Sequence, residues 1–410
     1  MVLLFRLDFM RYLYGMETRL YIFNPESDLA LAYGTEGYTA PPHARQLRRD
    51  LQMLPAWYCT QGAAILTQEP DTDTAWLGRT SGQMDISARC VTTGELGNHH
   101  FTFTPWGWNH ELRYRLVDEG ACADDIPPRE WLDKLRLLSH RSTALRLYSH
   151  LRGELDCPMP PEPRQAWSVA EILDYESSHP QCYIKAPWSG SGRGIYRVLD
   201  RRSPNFIGWA SGVLRRQGSV ICEHALDRVL DFAMEYLCHN GAARFAGYSV
   251  FTTDAHNSFD SGTVAHCEEL RQEIAARLGD EELLEAVKAS ASRFINREIA
   301  PVYSGYMGVD MMLYRTAAGE TRLNPCVELN LRMTMGAVTA LFARHHLADG
   351  ARGTFRVEYV KNGGVAGKMA VLTRRYPLKT VDGKLASGVL PLTPVYPSSS
   401  YCAYIQATRQ

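Results

Sequence analysis

The sequence predicts a mixed fold, a small α/β domain followed by an α+β body. Three observations carry this. Short apolar runs alternate with helix-like stretches over 16–130. Two consecutive runs, Asp231–Tyr236 and Arg244–Phe251, read as paired antiparallel strands. A long strand, Gly305–Tyr314, turns through Thr316–Glu320 and returns as Thr321–Asn330.

The chain has 410 residues, which is room for two or three domains. Lys and Arg number 44 against 45 Asp and Glu, so the charge balance argues against a nucleic-acid-binding face as the main business. The 10 cysteines form no CxxC pair, and they read as reduced thiols. The 13 histidines show no metal-ligand spacing. No apolar run reaches the roughly 20 residues of a membrane span. The segment MVLLFRLDFMRYLYG is interrupted by Arg6, Asp8 and Arg11, unlike a signal peptide. Residues 1–15 read as a spurious start or a loose extension before Met16, and the protein reads as cytoplasmic.

Arg19–Phe23 is the first strand. An Asn-Pro turn follows, and Ser27 or Asp28 is placed to cap a helix. AAILTQ near Ala63 is a buried strand. TFTPWGWNHELRYRLVDEG gives a strand, a turn and a helix with Leu112 and Leu116 on one face. Trp131–Leu151 is helical with a break near Ser139. The proline-rich run 157–163 ends it, and Ser168 with Glu171 forms a plausible capping box.

The stretch YIKAPWSGSGRGI then sets Lys185 at the end of a strand and a glycine–serine loop before the next. Such a loop offers backbone N–H groups and cations to phosphates. It fits neither GxxxxGK[ST] nor GxGxxG. Gly218–Glu223 is a buried strand ending in an acid. Glu281–Glu298 is an amphipathic helix with Leu284, Val287, Ala291, Phe294 and Ile295 on its stripe. A helix starts near Met335, and the alternating tail beyond 355 reads as extra strands.

The hairpin carries the chemistry. Asp310 lies in its first strand. Glu328 and Asn330 lie two apart in the second and share a face, with Arg332 two further on. Two carboxylates and an amide oxygen on one face make a hard-oxygen site suited to Mg²⁺ and phosphate. Arg332 can pair with phosphoryl charge.

In order and spacing, Lys185 with its loop, Glu223, Asp231, Asp310 and the Glu-x-Asn-x-Arg of 328–332 resemble the ATP-grasp superfamily, over about 135–345. The resemblance implies two α+β subdomains clasping ATP, preceded by the N-terminal α/β domain. The implied division is 16–130 for the N-terminal domain and 131–215 for the lid-side subdomain. The metal-binding subdomain then takes 216–354, and closing strands take 355–410.

It also implies roles. Lys185 resembles the lysine at the α-phosphate, and Ser189, Gly190, Ser191, Gly192 and Arg193 resemble the lid. Ile221, Glu223 and Leu226 would border the adenine, and Asp231 the ribose. Asp310, Glu328 and Asn330 resemble ligands for one or two Mg²⁺, with Mn²⁺ as a substitute, and Arg332 resembles the phosphate arginine. The chain departs from the family at Arg141, in Leu138–Ser142, where a lysine is usual. Arg141 keeps the charge without the compact ammonium.

The implied activity is an ATP-dependent ligase joining a carboxylate to an amine through an acylphosphate. A small-molecule kinase and a binding-only ATP module are the rival classes. The implied partners are a small carboxylate and a small amine, with no nucleic acid and no membrane. Asn24, Glu26, Asp28, Trp106, Trp108 and Arg113 are acceptor candidates, read first as turn, cap and core residues. The strands around 244–264, with Asp260, are a candidate pocket wall. His224 and His266 read as structural. Met307, Met311, Met312, Met333 and Met335 read as core, with Met312 placed to pack on adenine.

Overall fold

The computed structural model describes residues 18–190, 194–254 and 258–409, built around three sheets. The extension expected over 1–15 lies outside the described residues. Among the described residues no helix is long and apolar enough to cross a membrane.

The first sheet is parallel. Its strands are β1 (Thr18–Ile22), β2 (Ala63–Leu66), β3 (Ala88–Val91) and β4 (Phe101–Pro105), in the order β3-β2-β1-β4. Leu20 and Ile22 join one core cluster, and Tyr21 and Phe23 another, as in a strand covered on both faces. The chain moves outward from β1 to β3, then returns to the far side of β1 as β4. The connections leaving β1 and β4 diverge there, and such a switch point opens a crevice where ligands bind. Asn24 ties its two lips. Its Nδ2 donates to the Gly107 carbonyl at 2.7 Å, and its Oδ1 accepts from Gly107 N at 3.3 Å.

The helix Ser27–Tyr33 follows β1, but neither Ser27 nor Asp28 caps it. The N-cap is Glu26, with no side-chain cap bond. Both candidates are engaged elsewhere. The Ser27 side chain packs beneath Gly107, and the Asp28 carboxylate binds Arg332.

The second sheet is antiparallel. It holds β5 (Arg164–Ala166), β6 (Cys182–Lys185), β7 (Ile195–Arg197) and β8 (Val220–His224), in the order β5-β8-β6-β7. Helices Val169–Ser178 and Pro204–Gln217 cover it through Ile172, Phe206, Ala210 and Val213. Ser168 caps the first of these by accepting from Glu171 N at 3.2 Å, while the Glu171 carboxylate takes Trp167 N. β8 lies beyond the division expected at 215/216 and pairs with both β5 and β6, so its backbone groups belong to the sheet that carries Lys185.

The third sheet is antiparallel and has nine strands. They are β9 (Asp227–His239), β10 (Ala242–Thr253), β11 (Phe259–Val264), β12 (Gly305–Arg315), β13 (Thr321–Asn330), β14 (Ala351–Tyr359), β15 (Lys379–Val381), β16 (Lys384–Pro391) and β17 (Tyr401–Arg409). Their order is β13-β12-β9-β10-β11-β14-β17-β16-β15. β14 runs through 354/355, so the tail extends this sheet. The tail also holds a helix that the sequence reading missed, Val365–Arg375, packed through Val365 and Met369 on Val389, Cys402 and Tyr404.

One face of β9 sends Phe232, Met234 and Tyr236 into a core shared with Leu284, Val287, Ala291, Phe294 and Ile295 of the helix Glu281–Glu298. Each fully buried Leu, Val or Phe there contributes ~1.5–3 kcal/mol. Alternation sends Asp231, Ala233 and Glu235 to the opposite face, and that face builds the site.

Candidate active site

Register fixes the site as rows across four strands. Ser249, Ala233, Asp310 and Glu328 form one row over β10, β9, β12 and β13. Phe251, Asp231, Met312 and Asn324 form the row on one side. Gly247, Glu235, Gly308 and Asn330 form the row on the other. Asp310, Glu328 and Asn330 therefore share one face, where Asn330 Nδ2 donates to Asp310 Oδ2 at 3.0 Å. Burial, then repulsion from Glu328 and Glu235, pushes the Asp310 carboxyl well above its usual range. Crowded carboxylates that resist ionisation together suit a divalent cation, and the donors are the hard oxygens that Mg²⁺ takes.

β13 ends at Asn330, so Arg332 reaches the site by folding back rather than by alternation. Its Nη2 donates to Asn330 Oδ1 at 3.1 Å, its Nε to Asp28 Oδ2 at 2.7 Å, and its Nη1 to the Met333 carbonyl at 3.0 Å. Met333 N donates to the Trp106 carbonyl at 2.7 Å, which stitches the end of β4 to the same loop.

The lysine sheet supplies Lys185, which is 6% exposed. Its Nζ pairs with Glu223 Oε2 at 2.6 Å, diagonally across β6 and β8. Ile221 lies opposite Lys185 and is fully buried. The Asp231 carboxyl is raised by burial, against Arg228 at 3.1 Å and the nearby Lys185. Leu226 sits in the turn between β8 and β9, at the edge of a second cleft of about 710 Å³ that also takes His224 and Tyr183.

Arg141 joins the two halves. It lies between helices Arg129–Leu138 and Ser142–Glu154 and is buried. Its Nη2 donates to Glu328 Oε1 at 2.7 Å and its Nη1 to Ser189 Oγ at 2.7 Å. Nη1 also donates to the Ala186 carbonyl. Trp188 anchors the loop root. Its Nε1 donates to the Arg136 carbonyl at 2.9 Å, and the Arg136 guanidinium stacks 3.9 Å from its ring centroid. Gly190 lies so close on Asp28 that a Cβ there would sit 2.9 Å from Asp28 Oδ2. Ser191, Gly192 and Arg193 lie outside the described residues.

A cleft of about 570 Å³ opens from the Asp310 row to the switch point of the parallel sheet. Glu26, Asp28 and Trp106 line it, as do Phe251, Thr253 and Phe259 from the expected wall. Other acceptor candidates do not. Asn24 is locked to Gly107, Trp108 lies in the core, and Arg113 donates to the Pro127 carbonyl. Asp260 turns away to Thr252 and Arg356. Met307, Met311 and Met333 are core residues, whereas Met335 lines the cleft.

The sequence reading missed Glu235, Ser249 and Thr334 on the cleft floor. Period-two spacing from Asp231 was the available signal for Glu235. It also missed the grouping of His100, Cys122 and Asp125, whose ligand atoms lie within 4.8 Å of one another outside the cleft. Their separation in sequence carries no spacing signal.

No family model matches the sequence, and no curated protein matches it. Solved structures do match the fold. The N5-carboxyaminoimidazole synthetase of Staphylococcus aureus complexed with ADP is similar, with a TM-score of 0.52 and 10% identity, over 96% of this chain and 94% of that one. The biotin carboxylase of Campylobacter jejuni in its β,γ-ATP complex is similar with a TM-score of 0.51 and 12% identity, over 96% and 88%. The biotin carboxylase domain of Hydrogenobacter thermophilus 2-oxoglutarate carboxylase, with MgADP, ADP and bicarbonate, gives 0.50 and 10%, over 97% and 87%. These are ATP-grasp proteins, and this chain has the ATP-grasp fold.

Proposed function

We propose that the protein is an ATP-dependent ligase that joins a carboxylate to an amine through an acylphosphate, converting Mg-ATP to ADP and phosphate. One observation carries the reading. The Asp310, Glu328 and Asn330 face opens directly into the cleft that reaches the switch point, so a phosphate site and an acceptor site share one chamber.

In this reading a substrate carboxylate oxygen attacks the γ-phosphorus and ADP leaves. The amine, as its free base, then attacks the acyl carbon, phosphate leaves, and the proton lost from nitrogen goes to the departing phosphate. Lys185, Arg332 and Arg141 would offset phosphate charge in the transition state. Asp310, Glu328 and Asn330 would hold the one or two Mg²⁺ whose positive charge polarises the phosphate oxygens. Glu223, Ile221 and Leu226 would border the adenine, and Asp231 would accept from the ribose. Ser189 and Gly190 would cover the phosphates and exclude water, which would otherwise hydrolyse the acylphosphate.

The test is ADP release from purified protein with Mg-ATP, given pooled carboxylates, pooled amines, or both. Release that needs both pools and vanishes in Glu328→Gln supports the ligase. Release with one pool, together with a stable phosphorylated product, would make the protein a kinase.

A further inference from the structure

Glu235 has no role in that reaction scheme, yet it is 1% exposed and lines the cleft floor. The chain makes room for it at two glycines, Gly308 and Gly336. Gly247 and Gly308 flank it in register on β10 and β12. A Cβ on Gly308 would lie 2.9 Å from Glu235 Oε2, and one on Gly336 would overlap Glu235 Oε1 and Ser249 Oγ. Its donors are two hydroxyls, Ser249 Oγ to Oε1 at 2.9 Å and Thr334 Oγ1 to Oε2 at 3.0 Å. No ion pair within 4.0 Å is found for it among the described residues. An ionised carboxylate accepts about four hydrogen bonds, so capacity remains.

Acids outnumber cations around it. Glu26, Asp28, Asp254, Asp310 and Glu328 also line the cleft. Its two arginines already bind carboxylates, Arg332 with Asp28 and Arg141 with Glu328. Trp106, Phe251 and Phe259 line the same cleft. A buried acid in a cleft that aromatic side chains also line is the chemistry that selects an ammonium group with an apolar body.

We infer that Glu235, with Ser249 and Thr334, anchors the ammonium group of the acceptor amine, and that Trp106, Phe251 and Phe259 cover its apolar remainder. This deepens the ligase reading and rests on it for the word acceptor.

The test is calorimetric binding of three probes to the full chain with MgADP present. The probes are 2-phenylethylamine, the neutral 2-phenylethanol and the anionic 3-phenylpropanoate. The amine should bind at least ~10-fold more tightly than either, the worth of one charge-assisted hydrogen bond. Glu235→Gln should remove that preference. Ser249→Ala, which leaves the carboxylate in place, should weaken the amine several-fold and serves if the first variant does not fold. Equal or tighter binding of the acid, or a full preference in Glu235→Gln, overturns the proposal. So does no amine binding by the wild type. MgADP binding to the wild-type protein separates the two readings. If MgADP fails to bind wild-type protein while the amine preference holds, the ligase reading falls and the anchor stands. If MgADP binds normally and the amine preference is absent, the anchor falls alone.

Discussion

Arg141 holds Glu328 and Ser189 at once, donating to each at 2.7 Å. One buried guanidinium thereby couples the glycine-loop root to a strand of the other sheet. A lysine offers a single ammonium and cannot span both partners in the same plane. Arg141→Met should leave Glu328 without its partner and cost ~1–3 kcal/mol in urea unfolding. Arg141→Lys should recover much of that stability. MgADP affinity should fall at least ~10-fold in the methionine variant, as an unbalanced carboxylate and an untethered loop both oppose phosphate. Unchanged affinity by calorimetry would show that Arg141 is structural only.

Glu235 should make stability fall as pH rises. Burial pushes its carboxyl from 4.5 to about 7, against the donors Ser249 and Thr334 and the field of Arg332. Between those values the folded state binds more protons than the unfolded state, so unfolding free energy drops with pH. The loss through this window is at most about 3 kcal/mol. Urea unfolding at pH 5 and pH 8 should therefore show a steeper decline for wild type than for Glu235→Gln. Parallel declines would show that Glu235 ionises near its ordinary value.

Gly336 should not tolerate alanine. It lies in the first turn of the helix Met335–His346, which is capped by Thr334 Oγ1 accepting from Ala337 N at 2.8 Å. A helix ordinarily prefers alanine to glycine, so propensity alone predicts a gain of ~1 kcal/mol. The overlap of the new Cβ with Glu235 and Ser249 predicts the opposite sign, a loss of ~1–3 kcal/mol. Thermal unfolding of Gly336→Ala decides the sign. A stabilised variant would mean that the carboxylate moves freely.

The hairpin with Asp310, Glu328 and Asn330 was legible because alternation in a strand is strictly two. The ends of the helix Glu281–Glu298 were legible because its stripe repeats at helical spacing. Arg332 was found by the same counting, but its position comes from a fold-back onto Asp28, 304 residues away in sequence. Asp28 was misread as a cap because local patterning cannot show a competing partner that distant. The switch point was invisible for a related reason. It depends on which side of β1 receives β4, and no residue in either strand encodes that choice alone. Glu235 was within reach of the sequence, two steps of alternation beyond Asp231. It was passed over because an acid in a strand ordinarily faces water, and only the two close glycines, Gly308 and Gly336, show otherwise.

Asp310→Asn should stabilise the protein while disabling the proposed metal face. Wild-type Asp310 is half-buried beside Glu328 and within the field of Glu235, so loss of solvent and repulsion both oppose its charge. Only Arg332 and the Asn330 amide act against them. A neutral amide of the same shape removes the repulsion and keeps a hydrogen-bonding group opposite Asn330. Without added metal, the Asp310→Asn variant should gain ~0.5–2 kcal/mol in unfolding free energy, as substitutions that relieve a strained active site do. Mg²⁺ should raise the wild-type midpoint in the presence of ADP and leave that of the variant nearly unchanged, because binding to the folded state alone stabilises it. The two effects have opposite consequences for the wild-type rank. In chelator the variant melts higher, and in saturating MgADP the wild type does. A variant that melts lower in chelator would show that Asp310 is held by contacts stronger than its repulsion. A variant that keeps the full MgADP response would remove Asp310 from the metal face.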